Sequence, residues 1–122
     1  MSKTILIVDD SESLRQVVNI ALSGAGYQVF EAKDGVDGLS KLDGSKVHLI
    51  ISDVNMPNMN GIDFVKAVKA LPKYKFTPII MLTTESQPYL MEESRKAGAK
   101  AWLAKPFRPD QMLQAVSKIL AP

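Results

Sequence analysis

The stretch Thr4-Ile5-Leu6-Ile7-Val8-Asp9-Asp10 runs through consecutive apolar residues and stops at two carboxylates. A strand with one wet face alternates apolar and polar side chains. This one does not, so it reads as a strand buried on both faces. Such a strand needs helices above and below it, and the rest of the chain supplies them. Leu14, Val17, Val18, Ala21 and Leu22 recur at helical spacing until Gly24 and Gly26 provide a stop and a turn. Residues 27–32 read as a second strand. Val36, Leu39 and Leu42 make a short helix ending near Gly44, and residues 47–52 form a third strand bounded by Asp53. A loop dense in turn formers, Asn55-Met56-Pro57-Asn58-Met59-Asn60-Gly61, leads to a helix carrying Ile62, Val65, Val68 and Leu71. Residues 79–82 are a fourth strand, and residues 88–97 a helix with a thin apolar stripe. Residues 101–104 are a short fifth strand, and Pro109 opens a last helix bearing Met112, Leu113, Val116, Ile119 and Leu120. Five strands alternating with five helices predict an α/β fold. Its core is a doubly wound, five-stranded parallel sheet with right-handed crossovers and helices on both faces.

At 122 residues the chain has the length of one domain, read as residues 1–122. It has no cysteine, which excludes disulfides, thiolate metal sites and a cysteine nucleophile. Apolar residues make up 46% and charged residues 23%, as in ordinary globular domains. A formal charge of +2 is too mild to argue for a nucleic-acid or anionic-membrane partner. No apolar run approaches the ~18 residues of a membrane-spanning helix, and the run after Met1 is too short for a signal peptide. The expected location is the cytoplasm.

Parallel sheets of this kind bind ligands beyond the carboxyl ends of their strands. The polar groups there are Asp9 and Asp10 after strand one, Asp53 after strand three, Thr83 and Thr84 after strand four, and Lys105 after strand five. Taken singly they are unremarkable: Asp10 or Ser11 fits a helix cap, and Asp is common where strands end. Together they are specific. Crowded carboxylates either take up protons or bind a cation, and an oxygen-only set suits a hard ion, Mg²⁺ or Mn²⁺. Magnesium uses one or two carboxylates plus a phosphate oxygen, which leaves Asp53 able to attack phosphorus and form an acyl phosphate. Lys105 offers a fixed positive charge and Thr83 a hydroxyl for the transferred oxygens.

Val8-Asp9-Asp10, Ser52-Asp53-Val54-Asn55-Met56-Pro57 with Gly61, Leu82-Thr83 and Lys105-Pro106-Phe107 resemble, in order and spacing, the receiver domain of two-component response regulators. The likeness is to the stand-alone, CheY-like receivers of chemotaxis. It implies a flavodoxin-like strand order of 2-1-3-4-5. It also implies Asp53 as phosphoacceptor, with a phosphohistidine on a CheA-like sensor histidine kinase as donor. By the same likeness Asp10 and Asp53 ligate Mg²⁺ through side chains, Asp9 through water and Asn55 through its backbone carbonyl. Lys105 pairs with Asp53 and then with the phosphoryl group, Thr83 swings its hydroxyl to a phosphoryl oxygen, and a cis peptide precedes Pro106.

Trp102 lies three residues before Lys105, where receivers usually carry Tyr or Phe. It reads either as a packing residue on a short edge strand or, by the resemblance, as the ring that moves inward with the threonine. The surface built by the fourth helix, fifth strand and fifth helix would then change shape. Asn55 and Glu85 stand where receivers tune water attack on the acyl phosphate; the alternative is two solvated loop residues. The resemblance points to a monomer that signals by binding a protein, such as the flagellar motor switch protein. The sequence stops just after the last helix, so no DNA-binding output domain is expected. A phosphate sink or phosphorelay intermediate is the nearest alternative. An FMN protein of this fold needs a hydroxyl- and glycine-rich loop where Asp9-Asp10 stand, and an Asp-based phosphatase needs a second Asp where Asn55 stands. His48 reads as a surface or packed residue, and Lys66, Lys69, Lys73 and Lys75 as a solvated basic run.

Overall fold

The computed structural model describes residues 3–84 and 88–120, with Thr84 and Pro88 described by backbone alone. The order is β1 (Thr4–Val8), α1 (Glu12–Gly24), β2 (Gln28–Ala32), α2 (Gly35–Lys41), β3 (Leu49–Asp53), α3 (Gly61–Lys69), β4 (Ile79–Thr84), α4 (Pro88–Ala97), β5 (Ala101–Lys105) and α5 (Pro109–Leu120). All five strands are parallel in one sheet of order β2-β1-β3-β4-β5. The expected α/β architecture and strand order are therefore both present.

The continuous apolar runs divide by parity. Ile5 and Ile7 of β1, with Leu49, Ile51, Ile80 and Leu82, face the buried sides of α1 and α5 through Val18, Leu22, Met112 and Val116. Leu6 and Val8, with Ile50, Ile79 and Met81, face α2, α3 and α4, where Phe64, Val65 and Val68 supply most of the packing. Successive side chains point to opposite faces, so a strand with helices on both sides must be apolar at every position. Among the described residues, no helix is long and apolar enough to cross a membrane.

Several strand ends differ from the sequence reading. Residues 47–52 were expected as β3, but the strand spans Leu49–Asp53. Val47 is buried in the core ahead of the ladder, so its apolar character reports packing, not pairing. Asp53, Thr83 and Lys105 are the last or near-last residues of their strands: Asp53 pairs with Leu82, Thr83 with Ala104 and Thr84 with Lys105. Backbone pairing continues past the point where side chains turn polar. These three residues therefore sit on sheet backbone, while Asp9 and Asp10 lie just beyond β1.

Candidate functional site

The carboxyl ends of β1, β3, β4 and β5 bring the polar residues together. Asp9 follows β1 directly, and its backbone N–H donates to the Ala32 carbonyl at 3.1 Å. Its side chain is fully buried. One carboxylate oxygen, Oδ1, accepts the Ser11 N–H at 2.8 Å; the other, Oδ2, accepts from Lys105 Nζ at 3.1 Å. Ser11 is also the cap of α1, its hydroxyl accepting the Leu14 N–H at 3.2 Å. Arg15, one turn on, reaches back with Nη1 to the Asp9 carbonyl at 2.6 Å. Asp9 is thus held by the first turn of α1, while Asp10 beside it is exposed.

Lys105 Nζ lies 3.0 Å from Asp53 Oδ2 as well as 3.1 Å from Asp9 Oδ2. One ammonium bridges two carboxylates that would otherwise repel. Burial, and then the Asp9 charge, push the Asp53 carboxyl above the usual carboxylate range, against the pull of Lys105 and the Asn55 N–H. Burial would lower the Lys105 ammonium. Its hydrogen bond to Asp53 and the charges of Asp53 and Asp9 outweigh that and hold it above the usual lysine value. Thr83 is buried on β4 at the same edge.

The loop after β3 is set by Gly61. A Cβ there would stand 2.1 Å from the Asp53 carbonyl oxygen and 2.8 Å from Val54 Cα. Only glycine lets the start of α3 cross the backbone of the central Asp, and its N–H donates to the Val54 carbonyl at 2.7 Å. Asn58, at φ 68°, donates through Nδ2 to Asp34 Oδ2 at 2.8 Å, tying this loop to the cap of α2. The Lys105–Pro106 peptide is cis, as the resemblance implied.

Asp9, Asp10 and Asp53 each offer a carboxylate oxygen, all within 4.8 Å of one another. An all-oxygen set of three carboxylates beside a single ammonium fits a small hard dication such as Mg²⁺. Trp102 on β5 is half-buried against the α3–α4 side of the core. Its indole Nε1 donates to Ser94 Oγ at 2.6 Å, and the Ser94 hydroxyl donates to the Met91 carbonyl at 2.9 Å. Glu85 lies outside the described residues.

Sequence reasoning placed Asp9, Asp10, Asp53, Thr83, Thr84 and Lys105 at the carboxyl ends of the strands, and the parallel sheet brings those ends to one edge. It missed Arg15 and Ser94. Nothing in the spacing marks Arg15. Ser94 did leave a signal, a hydroxyl at helical spacing between Leu90 and Ala97 on the apolar stripe of α4.

The sequence matches the response regulator receiver domain over residues 5–117. The chain belongs to the response regulator receiver family. Among its relatives, the chemotaxis protein CheY1 of Helicobacter pylori is 40% identical over 118 residues, covering 95% of each chain. The CheY homolog of Campylobacter jejuni is 37% identical, covering 95% of this chain and 91% of its own. The solved chemotaxis response regulator CheY4 of Vibrio cholerae superposes with a TM-score of 0.93 at 48% identity, covering 98% of this chain and all of that one. The receiver's acidic cluster is therefore Asp9, Asp10 and Asp53 in this chain.

Proposed function

We propose that this receiver is a monomeric, single-domain chemotaxis response regulator that takes a phosphoryl group on Asp53 from the phosphohistidine of a CheA-like sensor kinase. The observation that carries the reading is the Lys105 ammonium shared between Asp9 and Asp53. It is supported by relatives named as chemotaxis proteins, one of which the chain matches over 95% of its length.

An Asp53 carboxylate oxygen forms the new O–P bond while the P–N bond to the donor imidazole breaks, its electron pair leaving with the ring nitrogen. Asp10 and Asp53, with the Asn55 backbone carbonyl, would hold Mg²⁺, or Mn²⁺ in its place, and Asp9 would act through water. The ion, when bound, neutralises charge on the phosphoryl oxygens. Lys105 passes from the Asp53 carboxylate to a phosphoryl oxygen. Asp9 keeps hold of it throughout, so little reorganisation is needed. Thr83 donates its hydroxyl to another phosphoryl oxygen. Water then cleaves the acyl phosphate, with Asn55 and Glu85 tuning its approach.

Output follows from Trp102. Movement of Thr83 draws the indole inward and away from Ser94, which releases α4 from β5 and remodels the α4–β5–α5 surface for the flagellar motor switch protein. The phosphoryl group biases this arrangement only by binding it better than the resting one. The chain acts in the cytoplasm as a phosphoacceptor and not as an enzyme on free substrates. Beryllofluoride with Mg²⁺, which mimics phospho-Asp, tests the output. Binding of a motor-switch peptide gained only with the mimic supports it. Phosphoryl uptake without such binding assigns the chain instead to a phosphate sink or relay.

A further inference from the structure

The strands are parallel, so the end opposite Asp53 gathers every connection that leads into a strand. Four of the five bring lysine: Lys3 before β1, Lys46 before β3, Lys73 and Lys75 before β4, and Lys100 before β5. Among the described residues of these connections Asp43 is the one carboxylate. Every helix except α1 also ends with lysine or arginine in its last turn at this end. Those helical cations answer the negative ends of the helix dipoles. The lysines in the connections lie beyond the helices, and of these Lys3 donates to the last carbonyl of α5, that of Leu120, at 3.0 Å. Among the described residues, none of them forms an ion pair. The formal charge of +2 therefore hides a molecule with an acidic pole at the phosphorylation site and a basic pole opposite.

The basic pole also carries apolar surface. Phe76 is 87% exposed, and the Lys75 ammonium lies 5.6 Å from its ring centroid. Beside it, a cavity of about 230 Å³ is walled by Val47, Phe76 and Pro78 and edged by Lys46, His48 and Lys73. Burial holds the His48 imidazole below its usual value, and the Lys46 and Lys3 charges lower it further.

We infer that this pole docks an acidic segment of a partner protein, seating one apolar side chain in the cavity beside Phe76 while carboxylates pair with Lys46 and Lys73. Val47, Phe76 and Pro78 give the cavity room for one aliphatic side chain, which an acidic peptide carries beside its carboxylates. The acidic pole of the same molecule also repels polyanions. Docking here leaves Asp53 facing away from the partner and open to its phosphodonor.

The probe is a fluorescent nine-residue peptide of alternating Asp and Glu with Leu at its centre, followed by anisotropy at low salt. A second peptide carries Gly in place of Leu. The Leu peptide should bind at least several-fold tighter than the Gly peptide. Lys46→Glu with Lys73→Glu should weaken it at least tenfold, and Phe76→Ser should abolish the preference for Leu. Lys33→Glu, at the opposite end, should change binding less than twofold. Several results overturn the inference. They are no binding at millimolar peptide, equal binding of the Leu and Gly peptides by the parent protein, and binding unaffected by the charge reversals. Binding of single-stranded DNA or phosphatidylserine vesicles as tight as the peptide would overturn it as well. Phosphorylation of the same variants by acetyl phosphate should match the parent, so failure of the docking site and failure of the Asp53 site are read separately.

Discussion

Lys105→Met removes the cation that two buried carboxylates share while keeping its apolar stem. In the parent, Nζ stands 3.1 Å from Asp9 and 3.0 Å from Asp53, whose side chains are 0% and 10% exposed. Removing one partner from a buried ion pair costs about 3–5 kcal/mol, because the other charge stays buried and unanswered. A quarter of the Lys105 side chain is exposed, and solvent at the pocket mouth reduces the loss to about 2–3 kcal/mol. The uncompensated carboxylates should then bind Mg²⁺ more tightly. For a millimolar site, about 10 mM Mg²⁺ stabilises the fold by about 1.4 kcal/mol, and a tenfold tighter site raises this to about 2.7 kcal/mol. Urea unfolding followed by far-UV circular dichroism, in chelator and in Mg²⁺, measures both quantities. The variant should lose stability in chelator, recover more than the parent in Mg²⁺, and keep the parent's denaturant slope. A loss below about 0.5 kcal/mol, the range of ordinary surface changes, would refute the bridging role. So would an equal Mg²⁺ gain in both proteins.

Gly61→Ala forces a Cβ into the Asp53 carbonyl. The clash is with backbone and cannot be relieved by a rotamer, so urea unfolding should show a loss at the upper end of about 1–3 kcal/mol. Ser94→Ala leaves the buried end of the Trp102 indole without its acceptor. Stability should fall by about 1–2 kcal/mol, and emission from the chain's one tryptophan should shift in the unphosphorylated protein toward that of the beryllofluoride form. Unchanged emission would separate Trp102 from α4. The Thr4 N–H donates to His48 Nδ1 at 2.9 Å, which only a ring with that lone pair free can accept, and burial holds this imidazole below 6.5. As pH drops below that value the unfolded ring takes up a proton and the folded one does not, so stability falls with acidification. His48→Gln should flatten that slope between neutral pH and the folded value. Asn55→Met combined with Glu85→Leu should slow loss of the phosphoryl group several-fold in a decay assay with Mg²⁺, and unchanged decay would reject their role.

The β1 run was legible because a strand covered on both faces has no room for polar residues. Leu6 and Val8 do pack toward α3 while Ile5 and Ile7 pack toward α1 and α5. Strand ends were less legible. Val47 is apolar yet unpaired, and Asp53 is polar yet paired, since the ladder is built by backbone groups that ignore side-chain polarity. The edge holding the site could be read because parallel topology sends every carboxyl end the same way. The division of labour between the carboxylates could not. Asp9 and Asp10 are adjacent in sequence, and only the first turn of α1 decides that Asp9 turns inward to Lys105, 96 residues away, while Asp10 stays exposed. Lys73 and Lys75 read as the loop end of a solvated basic run, and what the sequence could not show is that the fold brings Lys73 to the same cavity as Lys46.

The central claim is that Asp53 accepts phosphorus, and intact-protein mass spectrometry after incubation with acetyl phosphate tests it most directly. With Mg²⁺ the chain should gain one phosphoryl mass that peptide mapping places on Asp53. The adduct should fail to form in chelator and in Asp53→Asn. Phosphoryl uptake that is the same in Asp53→Asn, or none in the parent with Mg²⁺ present, would contradict the account.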